Sequence, residues 1–525
     1  MQQVHYWGQG WAMVDMVNGI PAEQDLPETT STETDKPSEP IRADIAFDGT
    51  GVALSGGGVR AALFSLGVLI GLIDSGENRK VSHISSVSGG SIVNAAVAQS
   101  SKYSECMTVQ EFEEIAKPLA YALSRRGAFV FSRAAVWESV RYLGPRFIGI
   151  AFAVGVPFLV SANAIPDFVS WPWRWILLAF VCFLLLGVSI TRGWLQEALY
   201  GATLASVARG GHGKRMLSEL TDSPTTHVLI ATDLVSGSPV YFSRNFVCCP
   251  AFGWGDSTRV RTSSAVYASA AFPVVYPTRR FRRRRFRFQN GYLAPPFPYW
   301  LKLTDGGVHN NLATGWYDEL SRQTDTMWAF GNVPLAKPLN QVRRRIVVNA
   351  GGGSRAVRRV PPGMLSAFRV MSVLYDNTVR PRLDALMDRS KTQPDAPIVI
   401  DIRESPYHLA RRHSDWDVDD FADKEAAKAR QDRAEDLVRW LGRQPEEYWY
   451  AFARQTSGTR TRLTKTGLES GARMMLHGYL STLVVLNIID DVKLPDVVRD
   501  EGYFLDLAGR ASRDQTTTGQ DKEQT

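Results

Sequence analysis

The sequence predicts an α/β fold built on a mainly parallel sheet. Two observations carry this. From Phe47 to Ser100 the chain reads strand, glycine loop, helix, strand, tight turn, helix, the alternation that begins a layered parallel sheet. Further short apolar runs then recur between helical stretches, at Val228–Thr232, Arg345–Asn349 and Ile398–Ile402. With 525 residues, 44% of them hydrophobic and 22% charged, the chain has room for a large core.

The stretch His83–Ile84–Ser85–Ser86–Val87–Ser88–Gly89–Gly90–Ser91–Ile92 organises the rest. It reads as an apolar strand, a tight turn, and a helix from Ser91 to about Ala98. A serine at such a turn is lifted clear of its strand. It also sits at a helix N-terminus, where negative charge is favoured. The hydrolase signature for this turn is G-x-S-x-G; here Ser86 stands in place of the first glycine. Taken alone, Ser-Gly-Gly also marks ordinary loops.

A second stretch, Gly51–Arg60, runs a strand into Gly56-Gly57-Gly58 and then an apolar helix to Ile73. Three glycines before a helix leave backbone N–H groups bare and permit positive φ. That is an anion cradle, suited to an oxyanion if Ser88 attacks a carbonyl, or to a phosphate. No Gly-Lys-Ser/Thr follows, and the glycines fit G-x-G-x-x-G poorly. A third stretch, Leu303-Thr304-Asp305-Gly306-Gly307-Val308-His309, sets a carboxylate in a turn.

These three stretches, in this order, resemble the patatin-like phospholipases. Ala231–Phe242 is similar to a strand pair of that family, Ala268-Ser269-Ala270-Ala271-Phe272-Pro273 to its A-S-x-A-x-P segment, and Gly467–Ser481 to its C-terminal helix. The resemblance implies a three-layer α/β/α hydrolase fold. It implies Ser88 as nucleophile, Asp305 as its base in a dyad without histidine, and N–H groups of Gly56, Gly57, Gly58 and Gly89 around the oxyanion. An acyl-serine would form and be resolved by water to a fatty acid and a lysolipid, with no metal and no cofactor. Arg60 would orient the glycine loop or an anionic substrate, or form a simple salt bridge. His309, four residues past Asp305, is the histidine to watch if a triad operates instead. An acyltransferase or a membrane-anchored scaffold on the same fold are the alternatives.

Two runs stand apart from this domain. Phe147–Pro166 holds 20 residues without a charge, and Trp175–Thr191 another 17. At ~1.5 Å per residue the first spans about 30 Å, one hydrocarbon core, and the second about 25 Å. Trp171 and Trp173 lie between them, and Arg133, Arg141, Arg146 and Arg192 flank the pair. We expect a transmembrane hairpin with both flanks in the cytoplasm, at the inner (cytoplasmic) membrane. The other reading is a buried or peripheral helix pair.

The tract Arg279–Arg287 carries seven arginines between phenylalanines shortly before Asp305. We expect Arg282, Arg283, Arg284 and Arg285 near the mouth of the site, binding anionic headgroups, or else a solvated hairpin. The net charge of +7, from 60 basic and 53 acidic residues, favours an anionic membrane surface without arguing for nucleic acid. The expected partners are a phospholipid membrane and a lipid acyl ester; the oligomeric state is open. Cys106, Cys182, Cys248 and Cys249 fit neither a disulfide framework nor a zinc site. Met1–Ile20 lacks the features of a signal peptide. The expected division is a segment 1–20, an acidic linker 21–45, hydrolase parts 46–146 and 192–490 around the hairpin 147–191, and a disordered tail 491–525.

Overall fold

A parallel sheet forms where the sequence places it. The computed structural model describes residues 49–106, 108–127, 196–208, 216–273, 276–293, 295–327, 339, 342–351, 365–392, 397–461 and 464–509. They belong to one unit, Ala46–Thr525. Strands β1 (Thr50–Leu54), β2 (Val81–Ser86), β3 (Thr226–Asp233), β10 (Arg344–Asn349) and β11 (Ile398–Asp401) run parallel in the order β11-β10-β1-β2-β3. An antiparallel extension continues from β3; its first pairing falls in Ala231–Phe242, where a strand pair was expected. It consists of β4 (Pro239–Phe242), β5 (Val247–Cys249), β6 (Gly253–Gly255) and β8 (Gln289–Asn290), with β7 (Arg279–Arg282) pairing β9 (Trp300–Asp305) beside it.

The sheet is buried on both faces, as parallel strands between helical layers must be. Side chains alternate between two cores. Val52, Leu54, Ile84, Ile346, Val348 and Ile400 enter one, and Ala53, Val228, Ile230, Val347 and Val399 the other. Against the first core pack α1 (Gly58–Asp74), α2 (Gly89–Ser100) and α3 (Val109–Arg125). Helix α4 (196–207) and α5 (Thr262–Ser269) also contribute there. The short α6 (Gly307–Asn310) leads to α7 (Gly315–Met327), which with α8 (Leu365–Thr392) covers the second core through Trp316, Tyr317, Val379 and Leu383. The chain finishes with α9 (Pro406–Ser414), α10 (Lys424–Leu441), α11 (Glu446–Gly458), α12 (Leu468–Asp490) and α13 (Glu501–Gly509).

Helix α12 is the one helix among the described residues long and apolar enough to cross a bilayer, and 83% of its apolar window is buried. It is a core helix. A Cβ on Gly67 of α1 would stand 1.9 Å from the Met475 carbonyl oxygen, and one on Gly478 of α12 would stand 2.2 Å from that of Phe64. Only glycine at both positions lets α1 and α12 touch backbone to backbone. The expected hairpin, 147–191, and the N-terminal segment and linker lie outside the described residues.

One expectation is corrected. Within the tail expected to be disordered, 491–525, residues 510–525 lie outside the described residues and Glu501–Gly509 form α13. Its Phe504, Leu507 and Ala508 are buried, with Phe504 against Tyr479 of α12 and Tyr503 bonded to Glu113 of α3 at 2.8 Å. The helix is short and carries few hydrophobics, but their spacing puts them on one face.

Candidate active site

Strand register brings Ser88 and Asp305 together. On one edge of β3, β4 pairs Leu229 and Ala231 with Phe242 and Val240. On the other edge, β2 pairs its last residue, Ser86, with Leu229, and β9 pairs its last residue, Asp305, with Ala231. The two strands approach from opposite directions and end two residues apart. Asp233 fixes the arrival of β9: its carboxylate accepts from the Lys302 N–H at 2.8 Å and from the Ser236 N–H and hydroxyl at 3.0 and 2.8 Å.

Ser88 turns the chain from β2 into α2 at φ 52° and ψ −116°, a conformation unfavourable for a residue with a Cβ. The strain is held by a polar network. The Ser88 N–H donates to the Ser269 carbonyl at 3.2 Å and to its Oγ at 3.1 Å. Ser269 Oγ meets Ser91 Oγ at 2.8 Å, Ser91 meets Ser86 at 3.0 Å, and Asn94 Nδ2 donates to Ser86 Oγ at 2.8 Å. The Gly306 N–H donates to the Ser269 carbonyl at 3.3 Å and the Asp305 N–H to the Ala271 carbonyl at 3.0 Å, so this segment supports both halves of the site.

The Asp305 carboxylate is buried. It accepts from the Gly307 N–H at 2.8 Å, and the nearby Ser88 hydroxyl stabilises its charged form. Burial, only partly offset by these two neighbours, pushes its pKa up to about 7. A carboxyl poised there accepts a proton near neutrality.

The glycine loop follows β1 beside the elbow. Gly57 has φ 149° and Gly58 φ 64°, both in the region that favours glycine, and α1 starts at Gly58. A Cβ on Gly89 would lie 2.0 Å from the Gly58 carbonyl oxygen, so the elbow and the loop meet without a side chain between them. Among the described residues no acceptor takes the N–H of Gly57, Gly58 or Gly89. Gly56 departs from the expectation: its N–H donates to the Asn311 carbonyl at 3.1 Å and so ties the loop to the Asp305 turn.

Arg60 is buried. Its Nε donates to the Ala350 carbonyl at 3.0 Å and its Nη1 to those of Thr459 and Ser457 at 2.6 and 3.4 Å. Of the readings open for it, orientation of the loop is the one its geometry fits; its guanidinium is turned to backbone, not to a substrate. The arginine tract runs away from Asp305. Arg282 pairs with Trp300, five residues before Asp305 on β9, about 17 Å at ~3.4 Å per residue. Arg279 is bound to the buried Glu197 at 2.7 Å.

His309 is exposed. His477 is buried between Thr456 Oγ1 and the Glu404 carbonyl, both at 2.8 Å, and burial lowers its pKa to about 4. His413 is lowered to about 3 by burial, and His408 lies against Ser405 at 2.7 Å. Among the described residues no group of His, Cys, Asp and Glu could hold a metal ion. A cavity of about 500 Å³ lined by Asp401, Arg403, Glu404, His408 and Arg454 includes neither Ser88, Asp305 nor the glycine loop.

Two site residues escaped sequence reasoning. Ser269 lay in a segment noted for resemblance, but nothing marked it as the support of the elbow. Asn311 follows the Asp305 turn, and its side-chain Oδ1 approaches both Gly56 and Gly307; a Cβ on either would stand within 2.2 and 2.7 Å of it. No local signal shows that Asn311 folds back onto a loop 255 positions earlier.

No curated protein matches the chain in sequence. Among solved structures, human GIVD cytosolic phospholipase A2 is similar, at 11% identity and a TM-score of 0.38, with 88% of this chain and 62% of that one covered. VipD from Legionella pneumophila matches at 12% identity and a TM-score of 0.23, covering 88% and 90%. The chain thus spans under two thirds of the human enzyme's length. The patatin-like phospholipase family model matches residues 52–315, about half of the chain, and takes in the glycine loop, the elbow and the Asp305 turn: the chain belongs to the patatin-like phospholipase family.

Proposed function

We propose that this chain is a membrane-associated serine lipid acyl hydrolase working through a Ser88–Asp305 dyad. The observation that carries the reading is a strained, helix-starting serine set beside a buried carboxylate, next to three N–H groups that no described residue accepts from. Ser88 Oγ attacks the ester carbonyl as its proton passes to Asp305. The carbonyl oxygen takes the charge and is met by the N–H groups of Gly57, Gly58 and Gly89. The C–O bond then breaks, the proton on Asp305 goes to the departing alcohol, and a water molecule repeats the sequence on the acyl-serine. Incubation of purified protein with mixed phospholipid vesicles tests the activity by mass analysis. Free fatty acid and lysolipid are expected; acyl groups moved to another acceptor would indicate a transferase, and no acyl release would contradict the reading.

The base must be ionised. Below a pKa of about 7 it is protonated, so kcat/KM should fall tenfold per pH unit on the acid side and level off above. A profile flat from pH 5 to 8 would remove Asp305 as the base.

The membrane assignment rests on the uncharged runs of 147–191 and on the arginine tract. Arg282 lies over Tyr299 and Trp300 at 5.8 and 5.4 Å, Arg283 over Phe297 at 4.4 Å, and Arg284 over Tyr299 at 5.9 Å. These rings are exposed, as is Tyr292. Aromatic rings carrying guanidinium groups suit the headgroup region. At about 1 kcal/mol per basic residue, two or three productive arginines raise vesicle occupancy tenfold or more. Serine at Arg282, Arg283, Arg284 and Arg285 should flatten the dependence on anionic lipid and on salt, and leave a soluble short-chain ester unchanged. Equal loss on both substrates would place the tract in the site instead. With the hairpin inserted and both flanks cytoplasmic, the protein should stay in the membrane pellet after an alkaline carbonate wash; its release would rule out insertion.

A further inference from the structure

Tyr375 of α8 packs over the Asp305 turn. Its ring stacks on Phe272, with centroids 5.6 Å apart and planes 19° from parallel. Phe272 follows Ala271, whose carbonyl accepts from the Asp305 N–H. A Cβ placed on Gly307 would meet Tyr375 Cε1 at 2.5 Å and Asp305 Oδ1 at 3.0 Å, so ring and carboxylate border the same point of backbone. Two turns further along α8, Arg382 Nη1 donates to the His309 carbonyl at 3.1 Å and fixes the helix there. The Tyr375 hydroxyl is buried, and no described residue shares a hydrogen bond with it. Burial and then the charge of Asp305 raise its pKa far above the usual phenol range, so it remains a proton-bearing donor. A buried donor without an acceptor is costly unless a ligand supplies one.

We propose that Tyr375 is a catalytic residue whose hydroxyl donates a hydrogen bond to the alkoxy oxygen of the scissile ester as the tetrahedral intermediate collapses. The inference rests on the Ser88–Asp305 reading. The carbonyl oxygen faces the glycine loop, and the departing oxygen must face the base that protonates it. A donor packed beside Asp305 therefore meets the departing oxygen. In that step the carbon–oxygen bond breaks and its electron pair stays on the alkoxy oxygen. The proton that Asp305 took from Ser88 moves to that oxygen, and Tyr375 keeps its own proton. The help matters for esters of aliphatic alcohols, the glycerol backbone among them, whose alkoxides are poor leaving groups. It matters little for a p-nitrophenyl ester.

The test compares Tyr375→Phe with the wild type on two esters of one acyl chain, an alkyl ester and a p-nitrophenyl ester. Phenylalanine keeps the stack on Phe272. The proposal expects kcat/KM on the alkyl ester to fall about 100-fold, the scale of one donor aimed at developing charge, and on the p-nitrophenyl ester less than about threefold. An equal fall on both esters, or no fall on either, overturns it. Ser88→Ala run alongside separates the two readings: if it retains turnover of both esters, the dyad itself is wrong whatever Tyr375 does. An unchanged melting temperature for Tyr375→Phe excludes unfolding as the cause of a loss.

Discussion

Asp305→Asn should lower turnover of a short-chain ester by about four orders of magnitude, to the level of Ser88→Ala. Asparagine keeps the shape of the side chain and can still accept from the Gly307 N–H, so the β9 turn should hold. What it lacks is a group that takes the Ser88 proton. The same substitution should not destabilise the fold above neutral pH. The folded-state pKa of about 7 lies above the ordinary carboxylate value near ~3.9. Between those values the folded state binds the proton more tightly, so stability falls as pH rises through that window and the loss persists above it. Asparagine removes that cost, and its melting temperature at pH 8 should equal or exceed that of the wild type. His309→Ala, at an exposed residue, should keep most of the activity. A His309→Ala enzyme as inactive as the serine mutant would replace the dyad with a triad.

Gly89→Ala should cost about 100- to 1,000-fold in kcat, the scale for losing a donor to an oxyanion. The new methyl would stand 2.0 Å from the Gly58 carbonyl oxygen and 2.9 Å from the Gly58 nitrogen. Backbone cannot yield as a flexible side chain does, so the elbow and the glycine loop must part. KM should change less than kcat, because the N–H groups act on charge that exists only in the transition state. Unaltered kcat in a folded Gly89→Ala protein would mean that the oxyanion is held elsewhere.

The parallel half of the fold was legible because its signals are local. A strand into three glycines and a strand into Ser-Gly-Gly each dictate a turn and a helix start, and both stand where the sequence puts them, at α1 and α2. Ser88 and Asp305 were legible as motifs. Their meeting was not, since it depends on β2 and β9 ending head to head against β3, a matter of register between segments over 200 positions apart. The same distance hid the Gly56–Asn311 bond, which removes Gly56 from the oxyanion donors. Arg60 read as an orienter of the loop or of an anionic substrate, or equally as one half of a salt bridge, because burial and the carbonyls of Ala350, Ser457 and Thr459 exist only in the folded chain. The arginine tract misled through sequence proximity to Asp305: an antiparallel strand pair carries it away from the carboxylate as fast as it approaches along the chain. The tail failed for a different reason. Composition averages over a window wider than α13, whose three buried residues suffice to dock it.

The central claim is that Asp305 activates Ser88, and labelling with a fluorophosphonate measures it directly. The reagent phosphonylates an activated serine, and peptide mass analysis locates the adduct. The account predicts one adduct, on the peptide carrying Ser88, absent from Ser88→Ala, formed more slowly as pH drops below about 7, and slower by orders of magnitude in Asp305→Asn. An adduct on a different serine, or labelling of Ser88 at the wild-type rate in Asp305→Asn, would contradict it.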